Sequence, residues 1–298
     1  MLTVRAPAKV NLTLTVHGRR DDGYHELTSL VAFAGTGDSV SLEPDVPFGL
    51  SIQGPFGDGL GTGPDNLVLR AAAALYRRLG IAPRGHFNLV KRLPVASGIG
   101  GGSADAAAAL RLLARTLGLP LNQPELAAAA RECGADVPVC LMSRARHMSG
   151  IGEILGPALR LPALCAVLVN PGVAVSTADV FASLGLQPGQ RLERKPGVNT
   201  AGGVSSWHED WPEDSHALIA GLVSGGDNDL QAPALRVAPA IRAVLNALQQ
   251  AEGCRLARMS GSGATCFGLF DDCRASAAAA RSLKSIHPDW WVKATVLR

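Results

Sequence analysis

A glycine-rich segment in the first half of the chain has the residue types of an anion-binding site. Four glycines fall within five positions, Gly98 and Gly100 to Gly102, and an Ala/Leu-rich helical pattern follows at once. Glycine has no Cβ, so backbone amides in such a segment can approach a bound group closely. A helix that begins there adds unpaired N–H groups and the positive end of its dipole. The segment therefore predicts a phosphate-binding loop.

The amino-acid sequence of this loop excludes three common phosphate-binding motifs. The Walker loop requires a Lys after its second Gly, and no Lys follows any of these glycines. The dinucleotide motif Gly-x-Gly-x-x-Gly fails because its sixth position is occupied by Ser103 or Asp105. The protein-kinase tripeptides His-Arg-Asp and Asp-Phe-Gly do not occur in the sequence. A flexible loop that binds nothing is the alternative that these residues alone leave open.

Composition narrows the function classes. Hydrophobic residues make up 47% of the 298 residues and aromatics only 4%, which predicts an aliphatic core and one large or two ordinary domains. A small, unclustered net charge of +3 argues against a nucleic-acid-binding protein. The absence of a signal peptide and of a long apolar run predicts a cytoplasmic protein, and the Ala-rich, Arg-over-Lys composition favours a bacterial source. The basic residues near the first loop and the glycine loop are expected mostly on solvated faces: Arg19, Arg20, Lys91 and Arg92.

Cysteine and histidine spacing gives no sign of a metal site. The six cysteines form no Cys-x-x-Cys pair, and we expect all of them to be reduced. The seven histidines show no zinc-ligand spacing.

Periodicity predicts the elements that position these residues. Residues 8–16 alternate, which predicts a half-buried strand with Lys9 and Asn11 on one outward polar face. A helix is predicted from Asn66 to Leu79, ended by Gly80, and another from Ser103 as its N-cap. A capping-box sequence that begins at Asn122 predicts a third helix, which ends at Gly134. The remaining predicted elements are a loop at 17–26, strands at 38–43, 49–53, 86–91, 164–169, 266–270 and 291–297, a surface excursion at 191–215, and helices at 214–223, 238–252 and 274–284. Strands and helices mix without strict alternation, which favours an α+β fold in two lobes.

Three segments together resemble the GHMP kinase family. They are Pro7 to Leu12 for its first motif, Pro94-x-x-x-Gly98-Ile99-Gly100 for its second and Gly261 to Ala264 for its third. The resemblance implies an N-terminal domain over 1–158 that binds ATP, a C-terminal domain over 159–298, and an active site between them. It also implies that ATP is the phosphoryl donor and that Mg²⁺ offsets the phosphate charge, with metal ligands that the sequence does not identify.

Further short sequence motifs resemble those of the GHMP kinases whose acceptor is a cytidine-diphosphate-linked methylerythritol. These are Asp22 to Leu27, Gly134 to Pro138, and Pro171-Gly172 leading to Thr177 and Phe181. They imply phosphorylation of the acceptor's tertiary 2-hydroxyl in non-mevalonate isoprenoid biosynthesis. The implied partner is this small molecule, with no nucleic acid and no membrane, in a monomer or weak homodimer. The alternatives are another GHMP kinase, such as one for homoserine or mevalonate, and a non-catalytic nucleotide-binding or RNA-binding module.

Two residues are the candidates for the chemistry. Asp136 could accept the hydroxyl proton during phosphoryl transfer, and Lys9 could orient the acceptor or offset developing charge. Taken alone, Asp136 would be a turn-capping residue and Lys9 a solvated lysine; the resemblance favours the catalytic roles.

The resemblance also implies two sets of binding residues. Tyr24 would stack on cytosine, His25 would bond its edge, and Phe181 would form the other side of a sandwich, although Phe181 alone indicates a core residue. The full acceptor set is Asn11, Tyr24, His25, Thr177 and Phe181. The ATP set is Asn66, Leu67, Pro94, Val95, Ala96, Ser97, Gly98, Ile99, Gly100, Gly101, Gly102, Ser103 and Ala104. Within this set, the resemblance implies that Asn66 and Leu67 lie near the adenine. The chain departs from the family at Gly101 and Gly102, where many members carry serines, and at Ala96-Ser97.

Overall fold

A computed structural model describes residues 2–192 and 214–298 of the chain. Most of the predicted excursion at 191–215 lies outside these residues. The chain divides into two compact units that interleave along the sequence. Unit 1 comprises Met1–Lys9, Thr36–Val95 and Gly100–Ser143, and unit 2 comprises Val10–Gly35, Ala96–Ile99 and Arg144–Arg298. The boundary after residue 158 stays a prediction.

The strands and helices follow one another in an α+β order. The strands are β1 (Leu2–Arg19), β2 (His25–Glu43), β3 (Gly49–Gln53), β4 (His86–Val90), β5 (Arg146–Gly150), β6 (Ile154–Ala158), β7 (Leu164–Asn170), β8 (Cys254–Met259), β9 (Cys266–Phe270) and β10 (Trp291–Leu297). The helices are α1 (Leu67–Leu79), α2 (Gly101–Thr116), α3 (Pro124–Cys133), α4 (Val137–Met142), α5 (Thr177–Ala182), α6 (Ser215–Gly225), α7 (Gln231–Val237), α8 (Ala240–Gln249) and α9 (Cys273–Ile286). None of the described helices is both long and apolar enough to cross a membrane.

Unit 1 packs four helices beside a small sheet. β4 pairs in parallel with β3 and antiparallel with the second half of β2. α2 contacts α1, α3 and α4 and buries most of its residues, because its alanines allow close approach on every side. The predicted helix over 66–79 is confirmed: the Asn66 side chain caps its first turn, and Gly80 ends it at a φ of 67°.

Unit 2 contains an antiparallel sheet in the order β10-β7-β9-β8. β5 pairs with the first half of β2. The aliphatic core includes the inner face of α8, where Ile241, Val244 and Leu248 are fully buried. The predicted strands at 164–169, 266–270 and 291–297 are confirmed as β7, β9 and β10.

Strand β1 corrects the expectation of a solvated polar face. Lys9, Asn11 and Thr13 are buried to within a few per cent of complete, like the apolar residues that alternate with them. These polar side chains lie inside because each has a hydrogen-bond partner: Lys9 contacts Asp136, Asn11 contacts Ser29, and Thr13 accepts from Leu30 N. β1 therefore carries buried polar groups along much of its length.

Two predicted helix starts are wrong. α2 begins at Gly101 after Gly100, which takes a left-handed φ of 62°, so Ser103 lies inside the first turn rather than at the cap. α3 begins at Pro124 with Gln123 before it and no capping side chain, so the capping box at Asn122 does not form. In each case a residue with special backbone geometry, Gly or Pro, determines the start.

The cysteines also differ from expectation. Cys165 in β7 and Cys273 at the start of α9 form a disulfide across a Cα–Cα distance of 5.1 Å. The prediction that all six are reduced is wrong for this pair, which lies 108 residues apart and has no motif spacing. The other four cysteines are free.

Candidate active site

An ion pair in unit 1 brings together the two residues predicted to be catalytic. Lys9 Nζ lies 2.8 Å from Asp136 Oδ1. β1 supplies the lysine, and the turn that Gly134 opens at a φ of 152° supplies the aspartate immediately before α4. The lysine side chain is 5% exposed and the aspartate side chain 38%. The ammonium is thus fixed inside the protein while the carboxylate stays accessible to a ligand.

Gly100 places the start of α2 against this pair. A Cβ on Gly100 would lie 3.3 Å from Lys9 Cε and 3.9 Å from Asp136 Oδ2. The free N–H groups of the 16-residue helix therefore begin directly beside the ion pair. A hydrogen in place of a side chain leaves room there for an anionic group, which fits the predicted phosphate site.

Leu67, one of the two residues predicted near the adenine, lies at the same helix start. A Cβ on Gly102 would be 3.2 Å from Leu67 Cδ1, so Leu67 lies next to the first turn of α2. Asn66 caps α1 through its side-chain oxygen and donates its amide to Gly61 O at 2.9 Å. The capping role is therefore observed, and adenine contact stays a prediction.

A buried three-residue cluster anchors the chain on both sides of the loop. Lys91 Nζ donates to Asp38 Oδ2 and Asp105 Oδ2 at 2.6 Å each. Asp38 Oδ1 also accepts from the backbone N–H groups of Arg92 and Leu93. The expectation of a solvated Lys91 is wrong, because two carboxylates from other parts of unit 1 surround its ammonium. Sequence reasoning missed this cluster, which ties the approach to the loop to the first turns of α2.

The Asp105 carboxyl has an unusual protonation behaviour. Burial raises its pKa to about 7; Lys91 opposes the rise, and the nearby Asp38 carboxylate adds to it. Its Oδ1 is buried without a hydrogen-bond partner in the described part of the chain. Two carboxylates share one ammonium, so a proton on Asp105 relieves their repulsion.

This shift predicts a pH-dependent stability. Between pH 3.8 and about 7 the folded chain binds a proton at Asp105 that the unfolded chain has released, so its contribution to stability falls as pH rises through this window. Asp105→Asn removes that proton equilibrium. We expect the free energy of unfolding of the wild type, relative to this variant, to be larger at pH 5 than at pH 8 in urea titrations. The exposed Asp45→Asn serves as the control. A wild-type-to-variant difference that stays constant with pH contradicts the assignment.

In unit 2, His25 and Phe181 lie in contact. Their rings stack with centroids 4.7 Å apart and planes inclined by 28°. Phe181 also packs against the core, so the core interpretation and the ring contact both hold. One face of Phe181 is covered by His25, and the sandwich across a ligand stays a prediction. Tyr24, which immediately precedes His25 in the turn, is 59% exposed and is accessible to a ligand.

The surroundings of the His25 ring disfavour its protonated form. Burial lowers its pKa, and the positive charge of Arg19 lowers it further. Its Nε2 is buried with no hydrogen-bond partner among residues 2–192 and 214–298. A buried ring nitrogen without a partner fits a ligand that supplies one.

Asn11 lies in a hydrogen-bond network that sequence reasoning did not find. Its Nδ2 donates to Ser29 Oγ at 2.8 Å and its backbone N–H to Ser260 Oγ at 3.0 Å. Its Oδ1 is buried and has no partner in the described structure. The network fixes the side chain and leaves one acceptor atom available.

The third motif packs against residues 97–98 of the glycine loop. Ser260 Oγ donates to Gly98 O and Thr265 N donates to Ser97 O, both at 3.0 Å. Thr177, predicted to bind the acceptor, forms a 2.8 Å hydrogen bond with Ser262 Oγ in the same motif. The motif therefore supports this part of the loop.

Asn228 positions the third motif from outside it. Its Nδ2 donates to Met259 O and Gly261 O at 2.8 Å each. The adjacent Asp229 accepts from Val16 N at 2.7 Å, which joins the same turn to β1. The Asn-Asp pair, with its turn-forming residue types, is the one sequence signal that could have marked this position.

Comparisons with known proteins show the family of this chain. Residues 66–144 match the family model of the GHMP kinases N terminal domain, and residues 213–289 match the GHMP kinases C terminal model. A 4-diphosphocytidyl-2-C-methyl-D-erythritol kinase of Methylobacterium radiotolerans is 57% identical, over 100% of this chain and 99% of that protein.

Solved structures share the fold. A crystal structure of 4-(cytidine 5'-diphospho)-2C-methyl-D-erythritol kinase is 34% identical, with a TM-score of 0.74 over 99% of each chain. A homoserine kinase from Cytophaga hutchinsonii is 20% identical, with a TM-score of 0.73 over 99% of this chain and 93% of that one, and shares the fold alone. The expected α+β kinase fold is confirmed, and the chain belongs to the GHMP kinase family of small-molecule kinases.

Proposed function

We propose that this protein transfers the γ-phosphoryl group of ATP to the 2-hydroxyl of 4-diphosphocytidyl-2-C-methyl-D-erythritol, a step in non-mevalonate isoprenoid precursor biosynthesis. The observation that carries the proposal is the Lys9–Asp136 pair at 2.8 Å with the start of α2 beside it. The full-length relative at 57% identity supports this acceptor. The site of action is the bacterial cytoplasm, and the protein acts as a monomer or weak homodimer.

Asp136 is the proton acceptor in this proposal. Its exposed carboxylate oxygen receives the proton of the 2-hydroxyl as the oxygen attacks phosphorus and the bond to the ADP leaving group breaks. A carboxylate is a weak base, but a loose transition state asks little activation of the alcohol before the phosphoryl group arrives. A half-exposed aspartate beside a buried cation suits this role.

Lys9 orients the base and offsets charge. Its Nζ donates to Asp136 Oδ1, which fixes the carboxylate while the second oxygen stays available to the acceptor. The ammonium also lies where Gly100 brings the N–H groups of α2, so both favour negative charge that develops on the transferred group. Because the lysine is already buried and paired, it needs no rearrangement during the reaction.

The glycine loop fits the phosphates of ATP. Backbone N–H groups of residues 97–104 and the Ser103 hydroxyl would bind them, with Asn66 and Leu67 toward the adenine. Bound Mg²⁺ would offset charge on the β- and γ-phosphates. No cluster of three or more His, Cys, Asp or Glu side chains suited to a metal occurs in the described residues. The phosphate oxygens of ATP would be the main partners of the ion.

Four residues are proposed to recognise the acceptor. Tyr24 presents an exposed aromatic face for the cytosine, and His25 Nε2, which has no partner in the described part of the chain, can bond the base edge. Asn11, with its unpartnered Oδ1, and Thr177 are proposed to contact the methylerythritol part. An alcohol without a nucleotide has no use for this aromatic turn, which favours the cytidylated acceptor over homoserine or mevalonate.

An acceptor panel tests the proposal. The protein is incubated with ATP, Mg²⁺ and, in separate reactions, the cytidylated methylerythritol, homoserine or mevalonate, and ADP release is measured. We expect turnover with the cytidylated alcohol and at most background release with the other two. Turnover with homoserine or mevalonate alone would overturn the proposed acceptor.

Tyr24→Ala is expected to weaken acceptor binding selectively. Loss of base stacking, worth about 1–3 kcal/mol, should raise KM for the cytidylated substrate about tenfold or more. KM for ATP should stay within about twofold, since the phosphate loop is untouched. Ile154→Ala, a substitution of an exposed residue on β6, is the control. An effect confined to KM for ATP would contradict the assignment of Tyr24 to the cytosine.

A further inference from the structure

We propose that Arg19 is a positioning residue that holds the turn of Tyr24 and His25 and the segment after the Phe181 helix in one arrangement for nucleobase recognition. The inference rests on the proposed function, because it concerns the aromatic groups assigned above to the cytosine. It gives a role to a residue whose type and position alone predict a solvated arginine.

The guanidinium of Arg19 joins the two segments directly. Its Nε donates to Gly23 O at 3.2 Å, and its Nη1 donates to Leu186 O at 3.0 Å. Gly23 immediately precedes Tyr24, and Leu186 follows α5, the helix of Phe181. Arginine presents its donors in a rigid planar fork, so a single side chain can fix the relative placement of two carbonyls.

The backbone holds the second segment at the end of β1 independently of this side chain. Arg19 N donates to Gln190 O at 2.8 Å. At Gly18 a Cβ would lie only 2.5 Å from Gln190 O, so the two backbones are in close contact. Replacement of the Arg19 side chain leaves these contacts in place, and a variant is expected to fold.

Arg19 also acts on the charge state of His25. Burial is the larger cause of the lowered pKa of this imidazole, and the Arg19 charge adds to it. Within the turn, Arg20 pairs with both Asp22 and Glu26 at the surface, and Asp21 lies beside Gly189. On the neighbouring helix α5, Asp179 is exposed. A neutral His25 can meet an uncharged base edge, and protonation would place a second positive charge near Arg19.

Two variants separate position from charge. Arg19→Gln removes the charge and the fork, whereas Arg19→Lys keeps the charge and loses the fork. Arg20→Gln is the matched control, since the side chain of this neighbouring arginine pairs with Asp22 and Glu26 at the surface. Values of kcat and of KM for ATP and for the cytidylated methylerythritol are measured from pH 5.5 to 8.5, and thermal unfolding confirms that each variant is folded.

Arg19→Gln is expected to raise KM for the cytidylated substrate about tenfold, the loss of one to two charge-assisted hydrogen bonds. KM for ATP and kcat should stay within about twofold of wild type, because the substitution affects only the positioning of the acceptor. The acidic limb of kcat/KM should move to higher pH in Arg19→Gln but not in Arg19→Lys, because only the former lets the pKa of His25 rise. Arg20→Gln should match wild type. An unchanged KM, a parallel rise in KM for ATP, or an unmoved acidic limb would overturn the proposal.

An NMR titration of His25 works without any substrate. The imidazole pKa should be higher in Arg19→Gln than in wild type and Arg19→Lys. An unchanged pKa overturns the inference even if the acceptor is as proposed. Conversely, failure of the wild type to turn over the cytidylated alcohol, with the His25 shift present, overturns the proposed acceptor and leaves the Arg19–His25 coupling supported.

Discussion

Asp136→Asn is expected to lower kcat by about 10²–10⁴-fold while ATP still binds with an affinity within about twofold of wild type. The amide oxygen can still accept the hydrogen bond from Lys9 Nζ, so the local geometry is retained. It cannot take the proton of the acceptor hydroxyl, so the chemical step slows. kcat is measured by ADP release and ATP affinity by calorimetry.

A surface carboxylate in the same unit controls for the loss of charge. Glu132 pairs with Arg77 and Arg78 on exposed faces of α3 and α1, and Glu132→Gln is expected to leave kcat unchanged. Near-normal turnover in Asp136→Asn would remove Asp136 as the proton acceptor. A loss of ATP binding equal to the loss of turnover would instead assign this aspartate to the nucleotide site.

Gly98→Ala is expected to destabilise the fold and to weaken the phosphate loop. A Cβ there would lie 2.5 Å from Ser260 O and 2.7 Å from both Gly263 N and Gly263 O. All three atoms belong to backbone, so no side chain can rotate away. The residue also has a φ of 75°, which adds strain for any residue with a Cβ. Displacement of the third motif should raise KM for ATP, since the motif supports the loop.

Gly118→Ala separates the backbone strain from the steric overlap. Gly118 has a similar φ of 67°, but a Cβ there would have no heavy atom within 4 Å among the described residues outside its own chain neighbours. We expect Gly98→Ala to lose about 1–3 kcal/mol more free energy of unfolding than Gly118→Ala in urea titrations. Equal losses in the two variants would show that the contact between the loop and the third motif is not tight.

The parts of the molecule that the sequence predicts well are those with local signals. Asn66 and Gly80 mark both ends of α1 through capping chemistry that depends on neighbouring residues alone. A short apolar run after a glycine cluster is enough to predict strand β9. Short elements such as α4, α5 and α7 escape prediction, because six or seven residues carry too little periodicity.

The candidate site shows the same division. Lys9 and Asp136 lie 127 residues apart, and the resemblance to a family, rather than any spacing, indicates that they act together. The Asp38–Lys91–Asp105 cluster has no local pattern at all, since an Asp in a strand and an Asp in a helix look solvated in isolation. The burial of both faces of β1 likewise depends on partners such as Ser29 and Ser260, which come from distant parts of the chain.

The position of the transferred phosphoryl group tests the central claim most directly. The reaction with ATP and the cytidylated methylerythritol is followed by ³¹P NMR, and carbon–phosphorus couplings locate the new ester. We predict one phosphomonoester signal on the C2 oxygen, with the two diphosphate signals of the substrate retained. A phosphoryl group on another hydroxyl would contradict the account. So would the absence of a monoester signal in this reaction when a parallel reaction with a different alcohol consumes ATP.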